Sequence, residues 1–137
     1  MAITKIVTPP GEKSEIKLLS VYFQTTAAAM DTNIQAFLGH EKAIHIVDAW
    51  VVFQALDTFA SGVDIDLETD NGTTETAIAN YDTVGGASAT AIDTVYSFTF
   101  TGARKVAAGT RLQVRVDDDE DAACWGQVFI QYVELND

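Results

Sequence analysis

Period-two alternation near the C-terminal end restricts the fold of this chain more than any other feature. Residues 110–116 place Leu112, Val114 and Val116 on one side and Arg111, Gln113 and Arg115 on the other. A side-chain repeat of two belongs to a strand with one dry face and one wet face. After the acidic run Asp117 to Asp121, the stretch Trp125 to Leu135 is apolar on both parities, with Val128, Phe129, Ile130, Tyr132 and Val133 in near succession. That pattern suits a strand covered on both sides, in a sandwich interior or at a subunit contact. The short charged link between the two stretches predicts an antiparallel hairpin.

The rest of the chain repeats the strand theme. Ile16 to Phe23 reads as a first strand, with Leu19, Val21 and Phe23 on one face. Ala43 to Leu56 is rich in β-branched and aromatic residues, which favours strand over helix. Its parities set Ile44, Ile46, Trp50 and Val52 against Val47, Ala49, Val51 and Phe53. Val63 to Glu68 alternates strictly, which predicts Asp64, Asp66 and Glu68 on a wet face. Asp70-Asn71-Gly72 is a tight-turn signal, and Thr73 to Tyr81 is its hairpin partner. Thr94 to Thr101 is a strand with Tyr96, Phe98 and Phe100 aligned. Between Asp82 and Asp93 lies a long loop centred on Gly85-Gly86. Helical spacing is confined to Thr25–Gly39, where Thr26 is placed to cap, Ile34, Phe37 and Leu38 share a face, and Gly39 ends the segment. A short helix or an irregular connection is expected there. Short strands punctuated by turns, without βαβ alternation, predict an all-β antiparallel sandwich or barrel of about eight strands with at most one short helix.

A chain of 137 residues, 47% hydrophobic, has the size of one domain and can bury a core without disulfides. Its one cysteine, Cys124, allows no intrachain bridge, and synthesis in a cytoplasm is expected. Met1 to Lys5 lacks the apolar core of a signal peptide, and no apolar run is long enough to span a membrane. The net charge of −12 argues against nucleic acid as a partner, because phosphate binding needs clustered Lys and Arg. Residues 1–15, with Pro9-Pro10-Gly11, read as an extended N-terminal arm ahead of a single domain over 16–137.

The candidate chemistry is thin. Asp66, Glu68 and Asp70 fail the calcium-loop spacing: counted from Asp66, the sixth position is Asn71 and the twelfth is Ala77. Asp117 to Asp121 reads as a solvated tip that blunts edge-to-edge pairing. His40 and His45 lack a zinc spacing, and both read as polar surface or strand-edge residues. Acidic neighbours disfavour a thiolate at Cys124, which reads as a small buried residue. Nucleophile-elbow, P-loop and dinucleotide motifs are absent from the sequence. Trp50 and Trp125 fit either a sandwich core or a sugar-lining face. The expectation is a protein that binds other protein and is not an enzyme, with no cofactor, no metal and no small-molecule substrate.

The order of segments resembles the small jelly-roll proteins of tailed bacteriophages, among them capsid decoration (cement) proteins. The likeness rests on Ala43 to Phe53, on Val63 to Glu68 with its Asp70-Asn71-Gly72 turn, on Ala107 to Leu112, and on Gly126 to Val133. The resemblance implies a jelly-roll β-sandwich on the exterior of a virion. Its partner would be the shell of major capsid protein, and it would commonly assemble as a homotrimer. The alternative is a carbohydrate- or receptor-binding module of a tail or fibre. Lys5, Lys13 and Lys17 are three of the eight basic residues. An arm carrying Lys5, Pro9, Pro10 and Lys13 is therefore the expected grip on shell or neighbour, joined by Phe129, Gln131 and Val133 of the last strand.

Overall fold

The computed structural model describes residues 15–25, 30–37, 41–56, 63–82, 92–118 and 124–135. The N-terminal arm with Lys5, Pro9, Pro10 and Lys13, the Thr26 cap, Gly39, His40, the Gly85-Gly86 loop and the acidic positions beyond Asp118 lie outside them. Ten strand segments follow in order: β1 (Lys17–Gln24), β2 (Met30–Phe37), β3 (Ile44–Leu56), β4 (Val63–Asp70), β5 (Glu75–Asp82), β6 (Val95–Ser97), β7 (Thr99–Phe100), β8 (Lys105–Val106), β9 (Arg111–Asp118) and β10 (Cys124–Glu134). They form two antiparallel sheets. One runs β1-β10-β3-β6, with β8 also on β3, and the other runs β2-β9-β4-β5-β7.

The pairing is nested. β1 pairs β10, β2 pairs β9, β3 pairs β6 and β8, and β4 pairs β5. This is a long hairpin wound over itself, the jelly roll. The nesting overturns the predicted terminal hairpin. β9 lies between β2 and β4 in one sheet, while β10 lies between β1 and β3 in the other. The link across the acidic run is therefore a crossover between sheets. The inward residues of the outgoing strand are as expected: Leu112, Val114 and Val116 are fully buried.

β2 replaces the expected helix. Met30, Thr32 and Ile34 alternate with Asp31, Asn33 and Gln35, a repeat of two that β9 reads in register from Asp118 to Gln113. A bulge between Gln35 and Phe37 then advances the chain by one residue, so that Phe37 lies opposite Leu112. Ile34 and Phe37 are three apart because of that extra residue and not because of a helical turn. Ile34 packs against the core.

Bulges also rearrange β3. Asp48 faces Gln131 and Ile46 faces Tyr132, which leaves Val47 as the extra residue. Its carbonyl accepts a 2.6 Å hydrogen bond from the Arg104 guanidinium, which also lies 3.9 Å above the Phe100 ring. Across this bulge the inner face changes parity. Ile44 and Ile46 are buried on the same side as Ala49, Val51 and Phe53, contrary to the simple even-odd division. Trp50 and Val52 are only partly buried and belong to the outer side.

Tyr96, Phe98 and Phe100 share an inward face as expected, but their strand is interrupted. β6 pairs with β3 and β7 with β5, so the chain passes between sheets at Phe98. There the Phe98 N–H donates to the Ala49 carbonyl at 3.0 Å. The Asp70-Asn71-Gly72 turn forms as read from the sequence. Gly72 takes φ 92°, and its N–H donates to Asp70 Oδ1 at 2.8 Å. Asn71 Oδ1 accepts from the N–H groups of Thr73 and Thr74.

Phe53 stands at the centre of the core. Its ring meets Phe23 edge-on at 5.7 Å and lies 6.1 Å from Tyr81 and 6.4 Å from Tyr96. Around it, Val63, Ile65 and Leu67 of β4 and Val128 and Ile130 of β10 have no solvent exposure. Burying each such side chain contributes about 1.5–3 kcal/mol.

Candidate functional site

Strand register places the outward residues of the β1 sheet in rows. Gln24 lies opposite Trp125. The next row reads Tyr22, Gln127, Val52 and Val95, and the one after it Ser20, Phe129, Trp50 and Ser97. The fourth row reads Leu18, Gln131 and Asp48. Three successive rows thus carry no charge in a chain with 28 charged residues, the 8 basic and 20 acidic ones. Trp50 and Phe129 stack across strands with centroids 5.7 Å apart and planes 17° apart. Such offset pairs contribute about 0.5–1.5 kcal/mol beyond their buried area.

Both ends of this face are open. At one end, where β1 begins, Ile16 is 65% and Leu18 58% exposed. Lys17, on the parity of Leu19 and Val21, is exposed and paired with Glu134, which raises its pKa. At the other end Tyr22 is 51% and Trp125 44% exposed. Between β10 and β3, Trp125 faces Ala55 and Gly126 faces Phe53, so Gln54 is the extra residue of a bulge. Tyr22, Gln54 and Trp125 line a shallow depression of about 450 Å³. Gln24 accepts a long 3.4 Å hydrogen bond from the Tyr22 hydroxyl.

The outer face of the other sheet has the opposite character. Asn33, Arg115, Asp66 and Asn80 lie in one register row, and Asp31, Asp117, Asp64 and Asp82 in the next. The Asn80 amide donates to Asp66 at 2.7 Å and to Asp64. Arg111 pairs with Asp70 at 3.7 Å. The alternation thus put Asp64 and Asp66 correctly on a wet face. Glu68 departs from that pattern: it is 5% exposed and accepts a 3.1 Å hydrogen bond from Gln113 Nε2, itself buried. Burial pushes its pKa up, opposed by the Gln113 bond and by Arg115.

A raised carboxyl pKa costs stability above the ordinary glutamate range. Below that range the folded and unfolded chains both hold the proton, and the cost vanishes. Glu68→Gln keeps the Gln113 bond and removes the buried charge. It is expected to raise Tm by about 3 °C at neutral pH and to leave it unchanged below about pH 4. Melting curves from acid to neutral pH check this. A gain that persists undiminished in acid would show that the carboxylate is not its source.

Among the described residues no group of three or more His, Cys, Asp or Glu is arranged to hold a metal, and no helix is long and apolar enough to cross a membrane. His45 is half-buried on β3, opposite Lys105 and Val133. Of the last-strand residues expected at an interface, Phe129 lies in the uncharged rows and Gln131 in the next row beside Asp48, while Val133 is 1% exposed and is buried within this chain. Sequence reasoning did not single out Leu18, Tyr22 or Gln54. Leu18 and Tyr22 stand on the parity opposite the inward Leu19, Val21 and Phe23, and that was the available signal.

No family model matches the chain, and no curated relative matches it. Among solved structures it is similar to Eiger TNF from S. frugiperda, at 16% identity over 88% of this chain and 94% of that one, with a TM-score of 0.38. It is also similar to the CBM22-1–GH10 modules of Clostridium thermocellum endo-1,4-β-D-xylanase 10B, complexed with xylohexaose. There the identity is 9% over 82% of this chain and 26% of that one, with a TM-score of 0.38. A third likeness is to the infectious bursal disease virus Gt strain, at 9% identity over 94% and 36% of the respective chains, with a TM-score of 0.34. Likenesses this distant decide nothing about function. The jelly roll is assigned from strand order and register.

Proposed function

We propose that this chain is a non-catalytic structural protein of a bacteriophage virion, one that sits on the capsid exterior as a homotrimer and stabilises the shell by binding its subunits. The observation that carries the reading is the exposed apolar surface at the end of the β1 sheet's outer face where β1 begins. Ile16 and Leu18 are exposed beside Gln131 and Phe129, at the point where the N-terminal arm joins β1. Exposed apolar side chains are what a protein contact needs at its centre, with Asp48 and the Lys17–Glu134 pair at its polar rim. An arm carrying Lys5 and Lys13 supplies cations to a chain that is otherwise strongly acidic.

The test uses shells of the virus whose genome encodes the chain, stripped of this protein. The full-length chain should rebind to a fixed copy number per shell, and light scattering should give a trimer's mass. Deleting residues 1–12 should weaken rebinding at least about tenfold, the loss of roughly 1.4 kcal/mol of contact. Undiminished occupancy by the deletion variant would remove the arm from the contact. Failure of the full-length chain to bind any shell would remove the decoration role itself.

A further inference from the structure

We infer that the depression formed by Tyr22, Gln54 and Trp125 is a binding site for a neutral pyranose of an oligosaccharide. The site lies at the opposite end of β1 from the proposed shell contact. Leu18 and Tyr22 are four residues apart, roughly 13 Å along a strand, with the Ser20–Phe129 row between them. The inference goes beyond the structural role and does not depend on it.

Two kinds of side chain meet here, and a sugar ring needs both. A pyranose has apolar C–H faces and a rim of hydroxyls. Tyr22 and Trp125 present half-exposed aromatic rings, whose negative faces attract polarised C–H groups. Gln54 and Gln24 are exposed beside them, and Gln127 lies opposite Tyr22 in the register. Each amide offers donors and an acceptor, the complement of paired hydroxyls. At about 450 Å³ the depression is within the range of small-ligand sites.

Charge selects the class of sugar. Among the described residues the rows around the depression hold no cationic side chain, and Asp93, whose N–H donates to the Phe53 carbonyl beside Gln54, is anionic, so a sialylated, sulfated or uronic-acid glycan finds no counter-ion among them. The net charge of −12 would repel it further. The backbone builds the site: the bulge adds Gln54, and the glycine that follows Trp125 lets β10 approach β3 closely at that point.

The experiment titrates the full-length protein with hexasaccharides of β-1,4-glucose, α-1,4-glucose and N-acetylglucosamine, and with a sialylated oligosaccharide. Calorimetry and tryptophan fluorescence give the readout. At least one neutral hexasaccharide should bind with an affinity insensitive to salt, and the sialylated one should not bind. Trp125→Ala should weaken binding about tenfold or more, Trp125→Phe less, and Gln54→Ala measurably. Trp125 is a surface ring, so each variant should keep its circular dichroism and melting temperature. No binding of any neutral hexasaccharide up to about 10 mM, binding unchanged in folded Trp125→Ala, or preference for the sialylated probe would each overturn the assignment.

Discussion

Replacing Gly126 with alanine is expected to lower the unfolding free energy by about 3 kcal/mol and Tm by about 10 °C. Gly126 is buried in β10 at a bulge against β3. A Cβ there would press into the Val52 carbonyl oxygen and lie 3.1 Å from both the Phe23 ring and the Phe53 Cα. Two of these three neighbours are backbone in the adjacent strand, which cannot swing aside as a side chain can. The strain must be relieved by moving β3 away from β10, and that loosens the pairing at the centre of the sheet. Denaturant melts of wild type and variant measure the loss. A variant as stable as wild type would mean that the bulge is not as closely packed as described. The same displacement would move Trp125, so a folded Gly126→Ala protein should also bind neutral sugars less well.

Truncating Phe53 to alanine should cost about 4 kcal/mol. The ring has no solvent exposure and touches aromatic rings from three other strands: Phe23 on β1, Tyr81 on β5 and Tyr96 on β6. Tyr81 and Tyr96 also contact each other at 5.2 Å, across the boundary between the two sheets. The ring therefore bridges both layers, and its loss leaves a cavity that neither sheet can close alone. Phe53→Leu should retain more than half of the lost stability because it fills most of that volume. If the alanine variant lost less than about 1 kcal/mol, the core would be centred elsewhere.

Much of this architecture was legible in the sequence, for a simple reason. A strand's inward set is a local, period-two property, so Val63, Ile65 and Leu67 or Leu112, Val114 and Val116 could be assigned to the core without knowing their neighbours. What pairs with what is not local. In a nested hairpin the centre, β4 with β5, joins consecutive strands, and its Asp70-Asn71-Gly72 turn was readable. Outside that centre, consecutive strands cross between sheets, and the expected β9–β10 hairpin fails for that reason. Bulges were equally hidden. Val47 inverts the parity of β3, and the residue inserted in β2 imitates a helical spacing. The candidate sugar site depends on register across three strands. Trp125 was noticed as a ring, but Tyr22 and Gln54 join it only once β1, β10 and β3 are aligned. Glu68 looked like one more solvated carboxylate because alternation reports which side a residue faces and not what lies over it.

The central position of β10 has a consequence for how the molecule is made. A ribosome releases β1 and β3 long before residues 124–134, yet those two strands have no pairing with each other; each pairs with β10. During synthesis β1, and the edge of β3 not taken by β6 and β8, must wait for β10, and about a hundred residues separate β1 from that partner. Closure over so long a span is slow and leaves the nascent chain prone to misassembly in the interval. The sheet that carries the candidate binding face therefore comes into being in the last act of folding, when β10 inserts between strands made well before it.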